Sequence, residues 1–195
     1  MLDFSSYFSL VVLGFISGAS QFKLGRSFLR RHHRKIFIFS LIAIFSWQII
    51  LSLLQYDLWS DSPLARLFLP PYQEINYFIF FAVSRFFLPY SISLSVALFI
   101  LFLLPKINRR FGERFFEAEE PYLAAVSVFL VGHPGWIVYF VVLIAVYLLI
   151  HLIYSLRSSG RRLSLYSLWG IVALFVILIN EYWLFQTGWW SLLAV

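Results

Sequence analysis

Apolar residues run along this chain in long blocks separated by short polar and charged segments, the pattern of helices that cross a bilayer. The first block, Phe4 to Phe22, is followed at once by KLGRSFLRRHHRK, with six Lys or Arg in thirteen positions. The positive charge trails the apolar run instead of leading it, the reverse of a signal peptide, which predicts an uncleaved span with its N-terminus outside. Residues 36–56 predict a second span. The loop after it holds Asp57, Asp61, Arg66, Glu74, Pro63, Pro70 and Pro71, and its PLARLFLPPY portion is apolar enough to lie on the membrane surface. Residues 75–104 are too long for one ordinary span and too short for two. Arg85 and Pro89 interrupt them, so an interfacial helix is expected up to about Arg85 and a span over 86–104, with Arg85 reaching the outer headgroups.

The next block, PYLAAVSVFLV, is only eleven residues long before GHPG at 132–135. Eleven residues do not reach across a bilayer, so this helix is expected to start near Phe115, giving a span over 115–131 and drawing Glu117, Glu119 and Glu120 into its first turns. GHPG is expected to form a tight turn at the outer surface: Gly132 and Gly135 tolerate positive φ, and Pro134 removes a helix donor. Spans over 136–156 and 163–185 complete the set, the last ending among Trp183, Trp189 and Trp190.

Composition sharpens this picture. Hydrophobic residues make up 62% of the 195 and charged residues 12%, against roughly 25% charged in soluble domains, and the mean hydropathy is +0.86. The expected fold is an all-α, polytopic transmembrane helical bundle of about six spans in a single domain, 1–195. Basic residues number six, four and three in the loops assigned inside, while the outer side holds Arg66 and the bordering Arg85. That asymmetry places both termini outside and a multi-pass protein in a plasma or inner membrane. It also accounts for the net charge of +6 without nucleic acid. Membrane lipids are the implied partners, with other membrane subunits reached through the GxxxG pair Gly14 and Gly18. The absence of cysteine excludes disulfides, thiolate metal sites and cysteine nucleophiles; no cofactor and no metal are expected.

The segment FGERFFEAEEPYLAA carries four of the nine acids within eight positions, beside Lys106, Arg109, Arg110 and Arg114. Carboxylates suit a helix N-terminus, where they meet its dipole and free N–H groups, and Pro121 suits a first helical position. Arg109 and Glu113, Arg110 and Glu113, and Arg114 and Glu117 stand three or four apart, the spacing of pairs on a helix surface. A charged helix entering the membrane explains these residues without chemistry. The alternative notes that Glu113, Glu117 and Glu120 share one helical face and that ionisable groups drawn into a membrane helix mark functional sites. Glu117, Glu119 and Glu120 are the candidate catalytic residues on that reading. The acids are expected to pair with the four neighbouring bases and the other basic loops and not to form a close carboxylate dyad. Arg85, His133, His151 and Glu181 are further polar candidates. His32 and His33 belong to the first basic cluster, and Asn180 adjoins Glu181.

The run FEAEEPYLAAVSVFLVGHPGW, followed by a span, a short basic loop and RLSLYSLWG, resembles the C-terminal half of the prepilin and preflagellin peptidases. The likeness covers about residues 115–180 by pattern and the rest by topology. It implies a six-span intramembrane aspartyl peptidase plan with a Gly-x-Gly-Asp motif at the cytoplasmic start of a helix. Here that motif reads Phe116-Glu117-Ala118-Glu119, without either glycine. The first basic segment, where the family's other aspartate is expected, has no acid, and Lys23 falls near its place. An aspartyl mechanism needs two carboxylates sharing a site. The resemblance therefore implies a peptidase-like plan without a competent aspartate pair, serving as a binding, assembly or scaffold subunit. A membrane enzyme acting on a lipid or leader peptide through the acidic stretch is one alternative. A small transporter or cofactor-binding subunit using Arg85, His151 and Glu181 is another.

The threading is checked by labelling single cysteines introduced into this cysteine-free chain. Residues 30 and 160 are expected on one face and both termini on the other; finding 30 and 160 on opposite faces rules the six-span threading out.

Overall fold

Phe4–Gln21 forms α1 and Lys23–Asp61 forms α2, a single helix of 39 residues. The chain reverses between them at Phe22, the one residue with extended backbone (φ −108°, ψ 144°). A computed structural model describes residues 4–112, 116–157 and 165–182; the side chains of Arg157 and Glu181 lie outside the described residues. The reversal is tight enough that a Cβ on Gly25 would overlap the backbone carbonyl of Ala19. The basic stretch 23–35 is thus helix and not loop. Arg, Lys and Leu are good helix formers, and Gly25 admits the close approach of α1.

Beyond α2 come a 3₁₀ turn at Ala65–Phe68, then α3 (Ile75–Ala82), a π turn (Val83–Phe87) and α4 (Leu88–Arg110). The last three are one continuous helix over 75–110, where an interfacial helix and a separate span over 86–104 were expected. Pro89 explains how the break is avoided. In an α-helix its ring would press on the carbonyl four residues back; the wider turn lets Leu88 N–H reach Val83 O instead. After α4 come α5 (Glu120–Val131), α6 (Gly135–Arg157) and α7 (Leu168–Tyr182). The described residues contain no strand. Three helices, Lys23–Asp61, Ile75–Arg110 and Gly135–Leu156, are long and apolar enough to cross a membrane, with Glu120–Val131 and Leu168–Asn180 as shorter apolar helices.

The short helix α5 is the centre of the bundle. It begins at Glu120, five residues later than expected, because Phe116 to Glu119 are held out of helix (below) and Pro121 takes a first-turn position. Apart from Tyr122 its residues are buried, on every side of the helix, the mark of a fully enclosed element. α1, α2, α4, α6 and α7 surround it. α5 lies along α2 from Arg30, bonded to Glu119, to Phe45, whose ring is 6.2 Å from that of Phe129. On the other side α4 runs antiparallel, with Tyr90 beside Phe129 and Asn108 beside Phe116. The sequence GHPG ends α5 as expected: Gly132 has φ 76°, and α6 starts at Gly135. That turn lies level with the middle of α2, and the remaining stretch of α2, Gln48–Asp61, extends about 20 Å past it. There it packs with α3 through Tyr56, Trp59, Phe78 and Phe81.

α1 turns Ser5, Ser9, Ser17 and Ser20 inward, and Ser17 meets Gly170 of α7 so closely that a Cβ there would overlap its hydroxyl. Gly14 and Gly18 face away, with nothing within 4 Å of an added Cβ. These two sets of small residues have opposite fates on substitution. Gly25→Ala is expected to lower stability by about 1–3 kcal/mol, the cost of overpacking against backbone. Gly14→Ala is expected to be neutral or to stabilise by up to about 1 kcal/mol through helix propensity. Thermal unfolding of both variants in detergent checks the contrast.

Candidate functional site

Three arginines on α2, Arg26, Arg30 and Arg34, recur every four residues and so face one way. Each meets a different group at the same end of the bundle. Arg26 donates through Nε to Ser20 O (2.6 Å) and lies over the Tyr166 ring at 5.7 Å. Arg34 lies over the Tyr122 ring at 5.7 Å, and the His33 ring is tilted against the same tyrosine with ring centroids 4.6 Å apart. Between them Arg30 spreads its fork over two carboxylates: Nε donates to Glu119 Oε1 and Nη2 to Glu117 Oε2, both at 2.9 Å. Glu119 is the buried member, its side chain 3% exposed, against 50% for Glu117 and 67% for Arg30.

The segment carrying these acids is pinned by a reciprocal side-chain pair. Asn108, near the end of α4, donates from Nδ2 to Phe116 O (2.8 Å) and accepts at Oδ1 from Phe116 N–H (3.1 Å). An amide side chain presents both a donor and an acceptor, so it takes both backbone groups of one residue. Held this way, Phe116 does not continue into helix, and the turn that follows bonds Glu120 N–H to Glu117 O at 3.1 Å. The carbonyl of Glu119 then accepts from Tyr122 and Leu123, starting α5. Glu120, 1% exposed, sits in the first turn, where the helix dipole favours its charge. Its Oε2 accepts from the Trp169 indole N–H at 3.4 Å, and the carbonyl of Trp169 accepts from Tyr139 OH at 3.2 Å. One end of the bundle is thus closed by groups from α2, α4, α5, α6 and α7.

Of the two kinds of partner expected, Glu117 and Glu119 take a base of another basic segment and not the neighbouring bases. Glu117 and Glu119 pair with Arg30, 87 and 89 residues away, and not with Lys106, Arg109 or Arg110. The local pairing assumed one helix through 110–120. The chain instead turns at Phe111–Gly112, where Gly112 has φ 69°, so α4 does not run on as one helix to Glu117. Glu113 and Arg114 lie outside the described residues. For the same reason Glu117 and Glu120 do not share a helical face, since Glu117 precedes the helix.

The other polar candidates do not join this group. Arg85 is exposed in the π turn. His133 accepts at Nδ1 from Trp136 Nε1 (3.2 Å) within the GHPG turn. His151 is exposed on α6, its ring stacked on Tyr147 with centroids 6.1 Å apart, and about 24 Å of helix separates it from Gly135. Glu181 lies in the last turn of α7. Among the described residues no three His, Asp or Glu gather as metal ligands.

Arg30, Asn108, Tyr122, Tyr166 and Trp169 are the site residues that the sequence reading missed. The four-residue spacing of Arg26, Arg30 and Arg34 points to a shared face once the basic stretch is read as helix. Nothing local marks Asn108 or Trp169.

Removing the Arg30 charge leaves Glu119 buried with no ion-pair partner among the described residues. Arg30→Gln is therefore expected to lower the melting temperature more than Glu117→Gln, whose carboxylate is half in water. Adding Glu119→Gln to Arg30→Gln is expected to restore part of the loss. Differential scanning fluorimetry of the single and double variants tests this, and an additive double variant contradicts the pairing.

Compared with known proteins, the chain matches no family model, no curated sequence and no solved structure.

Proposed function

We propose that this protein is a six-span membrane protein, with both termini outside, whose peptidase-like plan serves as a non-catalytic binding or assembly subunit. The observation that carries this reading is the Arg30 guanidinium lying on Glu119 at 2.9 Å while its other arm takes Glu117. A general acid–base pair needs one protonated and one ionised carboxyl in a shared site. Here Glu119 and Glu117 each meet the Arg30 guanidinium, and among the described residues no carboxyl–carboxyl hydrogen bond joins them. The exposed Gly14 and Gly18 supply a face on α1 for a neighbouring subunit.

A second reading, an enzyme acting on a lipid or leader peptide at this face, is favoured by the consecutive burial of Glu119 and Glu120. Purification from membranes in mild detergent separates the two. A subunit is expected to bring down a stoichiometric membrane partner, identified by crosslinking and mass spectrometry, and Glu119→Gln leaves that association intact. A chain that runs alone and cleaves a leader peptide, with cleavage lost in well-folded Glu119→Gln, overturns the proposal in favour of the enzyme.

A further inference from the structure

The three arginines of the closed end leave other cations of the same end without an acidic partner. Arg31 and Lys35 are exposed on α2, and among the described residues neither meets a carboxylate. They stand four apart on a face continued by Ile38, Ile42 and Ile49, at steps of three, four and seven, so all five fall in one stripe along the helix. Ile38, Ile42 and Ile49 are 54%, 61% and 52% exposed, while Leu29, Phe37, Ser40, Ile44 and Gln48 take the opposite, buried face. The stripe thus begins in two cations and continues for about 16 Å as bare hydrocarbon, half the thickness of a bilayer core. From its charged end, it has the dimensions and polarity of one leaflet.

A second stripe of the same sense lies on α4. Arg109 and Arg110 are exposed at its end, Lys106 Nζ lies 5.3 Å over the Phe102 ring, and Phe99 and Phe102 above it are exposed. α4 runs antiparallel to α2, and both helices hold the segment 116–119, through Asn108 and Arg30, so the cationic ends of the two stripes share one end of the bundle. A soluble anion matches only the charged half of such a stripe; an amphiphile with an anionic head and alkyl chains matches all of it.

We propose that the α2 stripe is a binding site for an anionic phospholipid, with the phosphate held by Arg31 and Lys35 and an acyl chain laid along Ile38, Ile42 and Ile49. Each cation near an anionic headgroup adds to the preference over a zwitterionic lipid, and the long stems of Arg and Lys let the charge reach the headgroup plane while the helix stays in hydrocarbon.

The test uses the full chain in nanodiscs of phosphatidylcholine containing a minor fraction of phosphatidylglycerol, with retained lipid read by native mass spectrometry. The wild-type protein is expected to retain phosphatidylglycerol in excess of its share. Arg31→Gln with Lys35→Gln is expected to cut that excess about tenfold or more, whereas Arg31→Lys with Lys35→Arg keeps it. Both positions are exposed, and an unchanged circular dichroism spectrum confirms the fold of each variant. An excess that survives the double glutamine variant overturns the proposal. So does displacement of the lipid by inorganic phosphate alone, which identifies a site for the free anion.

Discussion

A carboxylate taken almost wholly out of water is stable only if something replaces its hydration, and for Glu119 that is the Arg30 guanidinium. The rest of the closed end follows from this requirement. Arg30 must stay in place, so α2 has to be helical as far back as Lys23, because a flexible loop would not hold the fork against two acids. Glu119 must be carried to α2 while α5 stays central, so the chain cannot enter α5 as a straight extension of α4. Asn108 enforces that by capturing Phe116. The pair is worth little as a source of net stability, since desolvation offsets most of its attraction. Its effect is on specificity: any other placement of the segment leaves a buried charge unmatched.

The same constraint shapes the interior. α5 is too short to cross a bilayer core by itself, yet it is the most enclosed of the described helices. Its apolar residues face protein on all sides, and the longer helices α2, α4 and α6 carry the exposed apolar surface. Acids at one end and a glycine turn at the other are compatible with such a position because other helices, not lipid, surround both ends. Small residues make the enclosure possible: Gly25 admits α1 against α2, and Gly170 admits Ser17 of α1 against α7.

Local chemistry was legible in the sequence, and distant pairing was not. GHPG announced its break because a positive φ and a missing donor are properties of the residues themselves. The long apolar blocks announced helices for a similar reason, though among the described residues three are long and apolar enough to cross a membrane on those grounds. Pro89 misled, because whether a proline interrupts a helix depends on whether the turn before it can widen, as it does at Val83–Phe87. The basic run 23–35 misled in the opposite direction: charge density suggested a loop, while its helix-forming residues supported continuation of α2. Glu119 and Glu120 were identified as the acids of interest, and partners were expected among the neighbouring bases and the other basic segments without any one residue being singled out. Arg30 is 89 positions away from Glu119, and no spacing rule reaches that far.

The distribution of cations carries this logic one step further. Arg26, Arg30 and Arg34 are consumed by tyrosine faces and carboxylates, contacts that fix the bundle's own geometry. Arg31 and Lys35 lie one step round the helix and meet none of these groups. A run of basic residues selected only for charge would need no such division. Sorting onto two faces, one turned into the protein and one continuous with exposed hydrocarbon, is what a helix needs if it closes the protein on one side and grips its solvent on the other. Charge reversal on the two faces should therefore have different consequences: at Arg30 it sets like charge against a buried acid and opposes folding, and at the exposed Arg31 it leaves the fold intact.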